Sequence, residues 1–306
     1  MEPSVVSLKL AHPYIHLYRG KVFVIKVGGG VLANKGSCRA LAGQIALLSD
    51  LGIRVVIVHG GGPQASELSR KLGIEPAIVA GRRITSDDVL NVAVMTYAGA
   101  INTAFVATLS AQGVRAVGLT GVDAGSVKVH RRPPVTILDD DGRPQTVDFG
   151  HVGDIDAVEP DLLTSLLDAG FTPTIACVCA DAEGKLLNVN ADGIAEAVAA
   201  ALQAKKLIFV TEVKGLLGDP KDGATLIPFI DHAGLARLLE SGSITAGMRP
   251  KVEACMRATK NGVKRTHIIN GNDPDSLLIE LFTGKGCGTM IVSEREKQSY
   301  QNEELA

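Results

Sequence analysis

An α/β fold built on a mostly parallel sheet is what this 306-residue sequence predicts, and two observations carry the prediction. Short β-branched runs alternate with longer amphipathic stretches, the pattern of repeated βαβ units. Two of the early runs, 22–27 and 55–58, open into the glycine clusters Gly28-Gly29-Gly30 and Gly60-Gly61-Gly62. A buried strand that opens through glycines into a helix brings bare backbone N–H groups toward an anion, whose charge the helix N-terminus favours. Two such junctions in tandem, one carrying a lysine, point to a site that handles a phosphate and a second anionic group together.

The elements follow in chain order. The first strand, 22–27, is apolar except for Lys26, and an amphipathic helix over 37–51 leads to the second strand, 54–58. Pro63 suits the first turn of a helix over 63–72, since its missing N–H would be unpaired there anyway. Ser86 caps a long apolar helix over 86–111, and a strand follows at 116–119. The segment 127–152 alternates apolar and polar residues around Asp139-Asp140-Asp141-Gly142, which reads as a hairpin with an exposed turn laid on the main sheet. Helix 160–169 and strand 174–179 precede a short strand, the polar run Asn188-Val189-Asn190-Ala191-Asp192 and an alanine-rich helix over 192–204. The remainder reads as strands 207–211, 266–269 and 289–292 with helices 233–239, 250–261 and 274–282, and the charged tail from Ser293 is expected to fray. Lys205-Lys206 marks an expected boundary between a lobe over 21–204 and one over 205–306, with residues 1–20 ahead of both.

Composition excludes several function classes. The 31 basic and 33 acidic residues leave a net charge of −2, so no global field points to nucleic acid or a membrane surface. No apolar stretch is expected to reach the roughly 18 residues of a membrane span, and no leader pattern opens the chain, so a soluble, cytoplasmic protein is expected. The five cysteines are too scattered for a disulfide framework or a metal site and read as reduced core thiols, Cys177 and Cys179 sharing one face of a strand. No metal ligands are assigned.

The familiar nucleotide motifs do not fit. Each Gly-Lys pair lacks the upstream glycine of a P-loop. Gly28-x-Gly30-x-x-Ala33 and Gly60-x-Gly62-x-x-Ala65 match a loose dinucleotide fingerprint. The strand after the first junction nevertheless ends at Val58-His59-Gly60, without the acidic residue that would hold a ribose. The protein-kinase catalytic loop is absent as well. Phosphate chemistry here requires another architecture.

Four places carry candidate chemistry. Lys26, inside an apolar run, needs a polar partner, which the adjacent glycines offer as a bound anion; the alternative is a lysine snorkelling from the strand end. Asn188 and Asn190 face one side of an extended segment, although an N-cap explains one of them. Lys251 follows Pro250 in a first helical turn, where its charge opposes the helix dipole and a function would account for it. Arg83 can clamp a carboxylate through two hydrogen bonds, or stand solvated in a loop. His59 reads as a buttress of the glycine loop, without an acid–base partner.

Together these residues resemble the amino acid kinase family, and within it the branch that phosphorylates N-acetyl-L-glutamate. The resemblance runs from about Pro13 to Val292 through Val24-Ile25-Lys26-Val27-Gly28-Gly29, Val58-His59-Gly60-Gly61-Gly62-Pro63-Gln64, Val147-Asp148-Phe149-Gly150-His151-Val152-Gly153-Asp154, Asn188-Val189-Asn190-Ala191-Asp192 and Gly247-Met248-x-x-Lys251. It implies a three-layer αβα sandwich with an open central sheet and two lobes, the N-terminal lobe binding the acceptor and carrying the dimer contacts, the C-terminal lobe binding ATP. The implied reaction moves the γ-phosphoryl of ATP to the acceptor's side-chain carboxylate, a step of arginine biosynthesis, with Mg²⁺ held chiefly by the phosphates and waters. By motif position, Lys26 and Lys251 flank the transferring group and Asp192 orients them. Gly28 and Gly29 meet phosphate, while Gly61, Gly62, Arg83, Asn188 and Asn190 meet the acceptor. Thr211, Lys214, Gly247 and Met248 lie on the nucleotide side. Two places depart from the family pattern, Gly30-Val31-Leu32-Ala33 and Asn270-Gly271-Asn272-Asp273-Pro274.

Residues 1–20, with Tyr14 and Tyr18, resemble a helical extension that interlaces dimers in arginine-inhibited hexameric members. His267, Glu280 and Gly286 resemble their effector site. A homo-oligomer built from dimers, a hexamer, inhibited by L-arginine, is therefore expected, and a PII-type signalling protein is a further conceivable partner. Two other readings stand beside this one: a kinase for a related acceptor such as carrier-linked α-aminoadipate, and a catalytically silent regulatory module of the kind attached to some acetylglutamate synthases.

Overall fold

The computed structural model describes residues 3–297 except 76, 80–81, 139–142, 220–221, 243 and 246, and the side chains of 3–8, 78, 82–83 and 138 lie outside the described set. The turn at Asp139-Asp140-Asp141-Gly142 therefore lies outside the described residues.

Helix α1 (Pro3–Tyr18) leads to β1 (Val22–Val27), a short α2 (Gly29–Ala33), α3 (Lys35–Asp50), β2 (Arg54–His59) and α4 (Gly62–Lys71). A small ribbon of β3 (Ile78–Val79) and β4 (Arg82–Arg83) precedes α5 (Asp87–Val94), a π-helical turn over Met95–Ile101 and α6 (Asn102–Ser110). Then come β5 (Ala116–Thr120), β6 (Val127–Arg131), β7 (Val135–Leu138), β8 (Pro144–Val147), β9 (Val152–Val158), α7 (Asp161–Asp168), β10 (Thr172–Ala176), β11 (Val178–Ala180), β12 (Leu186–Val189) and α8 (Ala191–Ala201). The chain continues through β13 (Lys206–Thr211), β14 (Phe229–Asp231), α9 (His232–Glu240), α10 (Arg249–Lys260), β15 (Arg265–Asn270), α11 (Ser276–Phe282) and β16 (Thr289–Val292).

Eight strands form one sheet in the order β14-β16-β15-β13-β1-β2-β10-β5, parallel throughout except for the β15–β16 pair. The side-chain alternation of a strand sorts its residues between two cores. Phe23, Ile25 and Val27 of β1 pack with α3, α6 and α11, while Val24 faces the other way, toward α7, α8 and α10. Helices thus cover both faces, giving the expected three layers. Because β1 and β2 are neighbours in register, with Val27 opposite His59, both glycine junctions open at the same carboxyl edge of the sheet, where ligands bind in open α/β folds.

Three expectations need correction. The strand expected over 174–179 divides. β10 stays in the main sheet, whereas β11 joins β12, β9 and β6 in a second sheet. Val189 donates to the Cys177 carbonyl and Gly121 to that of Val178, which draws the chain out of the first ladder. The hairpin expected over 127–152 is two pairings: β6 with β9 in that second sheet, and β7 with β8 as a separate ribbon. Finally, Asp87–Ser110 runs 24 residues unbroken and is long and apolar enough to cross a membrane by length and composition. Both ends of it are built into the fold, Val92 and Ala93 in one core and Phe105 and Leu109 in the other. The π-turn between them adds the offset that lets both halves bury apolar residues.

Candidate active site

Lys26 reaches this edge because β1 carries it on the face opposite Ile25 and Val27, toward α8. There it meets Asp192, with Nζ to Oδ1 at 2.8 Å. Lys251, in the first turn of α10, approaches the other oxygen at 3.2 Å. One buried carboxylate thereby holds two ammonium groups from two other elements. Burial acts to raise the Asp192 pKa, but the charges of Lys26 and Lys251 outweigh it and hold it below the usual carboxylate range. With one negative and two positive charges the cluster has a surplus of one, suited to a phosphoryl group.

The glycine junctions converge beside it. Gln64, in the first turn of α4, donates from Nε2 to the Gly29 carbonyl at 2.7 Å and ties the two loops together. A Cβ on Gly29 would sit 3.1 Å from the Gly61 Cα, so neither loop has room for a side chain between them. Gly28 closes the first loop by donating to Val210 of β13 at 2.9 Å. Gly62 opens α4, and its first-turn N–H groups are those a helix leaves unpaired.

Asn188 and Asn190 line one open cavity of about 750 Å³ together with Thr85, Arg132, Phe149 and Pro250. Asn190 also performs the capping role, its Oδ1 accepting from the N–H groups of Asp192 at 2.7 Å and Gly193 at 3.3 Å. That cap sets the start of α8 and so the direction of Asp192. Opposite the Asn pair, Arg132 forks onto Asp154, with Nε to Oδ1 at 3.0 Å. The side chain of Arg83 lies outside the described residues.

On the other side of the lysines, Val213, Gly215, Leu216, Ile244, Thr245 and Met248 line a small apolar slot. Gly247 is exposed beside it and its carbonyl accepts from Lys251 at 3.5 Å. Lys214 is exposed. Thr211 is turned inward instead, its one hydroxyl hydrogen within reach of the carbonyls of Val213 at 2.9 Å and Ile269 at 3.2 Å. Those contacts shape the loop after β13.

The predicted effector residues also meet, away from the lysine cluster. His267 Nδ1 lies 2.7 Å from Glu280 Oε1, and Gly286, at φ +60°, closes over the same carboxylate. Lys206 Nζ stands 2.8 Å from His267 Nε2. With Tyr14 and Tyr18 of α1 these line a cavity of about 340 Å³. Burial pushes Lys206 down to about 7 and His267 down to about 4. The cysteines are free thiols, and burial raises Cys177, Cys179 and Cys255 to about 12, which makes them inert core residues.

Sequence reasoning assigned no role to Gln64 or Asn102 and left His59 as a buttress. Gln64 sits within the motif after Pro63, and that position was its only signal. His59 and Asn102 are joined through space.

The sequence pattern of the Amino acid kinase family matches residues 21–270. An acetylglutamate kinase from Myxococcus xanthus is 41% identical over 293 residues, 95% of each chain. The structure of N-acetylglutamate synthase from Neisseria gonorrhoeae complexed with coenzyme A and N-acetyl-glutamate superposes with a TM-score of 0.81 at 30% identity over 95% of this chain. The chain spans 63% of that synthase's length. The same synthase complexed with coenzyme A and L-arginine superposes at 0.76 with 28% identity, over 94% of this chain and 65% of the synthase. With the family pattern spanning the lysine–aspartate cluster and both glycine junctions, the chain belongs to the amino acid kinase family.

Proposed function

We infer that the chain transfers the γ-phosphoryl group of ATP to the side-chain carboxylate of N-acetyl-L-glutamate, forming an acyl phosphate and ADP. The observation that carries this reading is the pair of lysines held on one buried aspartate beside two interlocked glycine loops. A carboxylate is already a nucleophile at neutral pH, so the reaction needs alignment and charge stabilisation and no general base. As the acceptor oxygen bonds to phosphorus and the bridging oxygen leaves with ADP, Lys26 and Lys251 neutralise the charge spread over the transferring oxygens. Asp192 keeps both ammonium groups in place, and the glycine N–H groups supply further donors. Mg²⁺ fits this site through the nucleotide's phosphates and waters, because both oxygens of Asp192 are engaged by lysines; it would neutralise phosphate charge.

Gly28 and Gly29 are assigned to phosphate, and Gly61, Gly62, Arg83, Asn188 and Asn190 to the acceptor. Thr211, Lys214, Gly247 and Met248 are assigned to the nucleotide side. This assigns the acceptor to a lobe over 21–204 and ATP to one over 205–306. Arginine inhibition is proposed for the cavity under α1, where Lys206 offers a partner for a carboxylate and Glu280 one for a guanidinium. A dimer-based hexamer is proposed too. The groove of about 900 Å³ along α6 and α4 supports a dimer contact there, since it is lined by Leu32, Leu68, Ala104, Phe105 and Ala107. A cytoplasmic setting belongs to the same proposal.

The test is ADP release with ATP, Mg²⁺ and N-acetyl-L-glutamate, trapping the acyl phosphate with hydroxylamine, with and without arginine. Trapped product that falls on adding arginine supports both reaction and regulation. No product with this acceptor, and product with carrier-linked α-aminoadipate, would move the assignment to that acceptor.

A further inference from the structure

We propose that His59 and Asn102 form a positioning pair for phosphoryl transfer, in which a neutral imidazole fixes the Gly60–Gly61 peptide plane so that the Gly61 N–H is presented to the reacting groups. The proposal rests on the kinase reading above and assigns a role to two residues that touch neither substrate.

The geometry determines the proton positions. Asn102, the first residue of α6 after the π-turn, is buried, and its Nδ2 lies 2.9 Å from the Thr174 carbonyl and 3.4 Å from that of Leu119. Carbonyl acceptors at one end of the amide require that end to be the NH₂ group, and of its two hydrogens one goes to the nearer carbonyl, that of Thr174. The same nitrogen lies 2.9 Å from His59 Nε2, so Nε2 is the acceptor there. The imidazole proton then sits on Nδ1, which is 3.2 Å from the Gly60 carbonyl and donates to it. Protonating Nε2 would set two donors against each other, and burial with the nearby Lys26 charge pushes the His59 pKa down to about 4. His59 is thus a neutral donor in the working range of the enzyme.

The consequence for the loop follows from peptide planarity. The Gly60–Gly61 bond is trans, so the Gly61 N–H points opposite to the Gly60 carbonyl. His59 holds that carbonyl on the α6 side of the sheet. The N–H is therefore turned toward the side that carries Lys26 and Asp192, and no acceptor among the described residues takes it. The π-turn completes the clamp. A Cβ on Gly61 would fall within 2.8 Å of Tyr97 and closer still to Ile101, so the loop is pressed onto the helix that delivers Asn102.

His59→Leu removes the donor, whereas His59→Asn keeps an amide N–H near the position of Nδ1. For the wild type and both variants, kcat, the KM values, thermal stability and hydroxylamine-trapped product are measured. His59→Leu is expected to lower kcat roughly 10²-fold with little change in the ATP KM, and His59→Asn to recover at least about tenfold of that loss. Equal kcat in the two variants, or losses that track thermal stability alone, would overturn the proposal. Trapped product from the wild type keeps the kinase reading intact whichever way the variants fall; its absence removes that reading first. Should neither variant fold, ring-¹⁵N NMR of the wild type decides. His59 and His267 are then the two imidazoles expected to stay neutral with the proton on Nδ1 from about pH 5 to 8, and His267→Gln removes one of the two signals. A His59 signal that titrates in that range, or carries its proton on Nε2, would overturn the proposal.

Discussion

Asp192 is the residue on which most of the site's electrostatics converge. With Lys26 at 2.8 Å and Lys251 at 3.2 Å it is screened little by solvent, and removing it strands two ammonium groups. Lys26→Ala and Lys251→Ala are each expected to lower kcat by about 10²–10³ with a small change in acceptor KM, because the lysines meet most of their charge in the transition state. Steady-state kinetics on both substrates checks this; unchanged turnover in either variant would remove it from the phosphoryl site. The buried histidines set a pH dependence of stability. His59 and His267 are held near 4 in the folded chain against an ordinary 6.5. The unfolded chain therefore binds more protons between those values. Their contribution is complete above about pH 6.5 and is lost as pH falls toward 4, on the order of 3 kcal/mol for each. Urea midpoints measured from pH 4 to 7 should rise across this window; a flat profile would contradict the buried neutral state.

At the level of elements, the two glycine junctions differ in what they tolerate. The atoms nearest to a Cβ on Gly30, in α2, are those of the Glu212 carboxylate, the end of a flexible side chain that can swing away. Gly30→Ala should therefore change stability by less than about 1 kcal/mol, consistent with the departure from the family pattern at this position. Gly61 is pressed against Tyr97 and Ile101 of the π-turn, side chains held by the core. Gly61→Ala is expected to cost about 1–3 kcal/mol by overpacking and to lower kcat as the loop shifts. Comparing melting and kinetics of the two variants checks the contrast. Much of this was legible in advance: glycines after an apolar strand announce a loop with exposed N–H groups. The π-turn was not, because one extra residue per turn leaves the apolar pattern of 86–111 looking like a single helix. The break at Cys177 was also hidden, since the residues on both sides of it are equally apolar.

For the whole molecule, α1 is the element that ties regulation to assembly in the proposed function. Tyr14 and Tyr18 line the cavity with His267 and Glu280, and Tyr18 packs edge-on against Phe23 and Phe282. Deleting residues 1–12 leaves Tyr18 and the lysine cluster in place. The truncated chain is expected to retain turnover, to lose most arginine sensitivity and to scatter light as a dimer. A truncated hexamer, or undiminished inhibition, would separate the cavity from the assembly. The uncovered side of Asp87–Ser110 belongs to the same scale, because an apolar helix left largely unburied in the single chain is suited to a partner surface.

The sequence by itself determined most of the strands, the cap at Ser86, the glycine loops and the two lysines, because periodicity, capping and glycine content act over a few neighbouring residues. Only the tertiary structure decided which of these groups meet. Asp192 joins Lys251 across 59 residues, and His59 joins Asn102 across 43. Those distances close because β1 is seated between β13 and β2, with α8 and α10 on one face and α6 on the other. The order of strands in a sheet is set by how crossovers bury both faces at once, a property of the whole chain that no local pattern encodes.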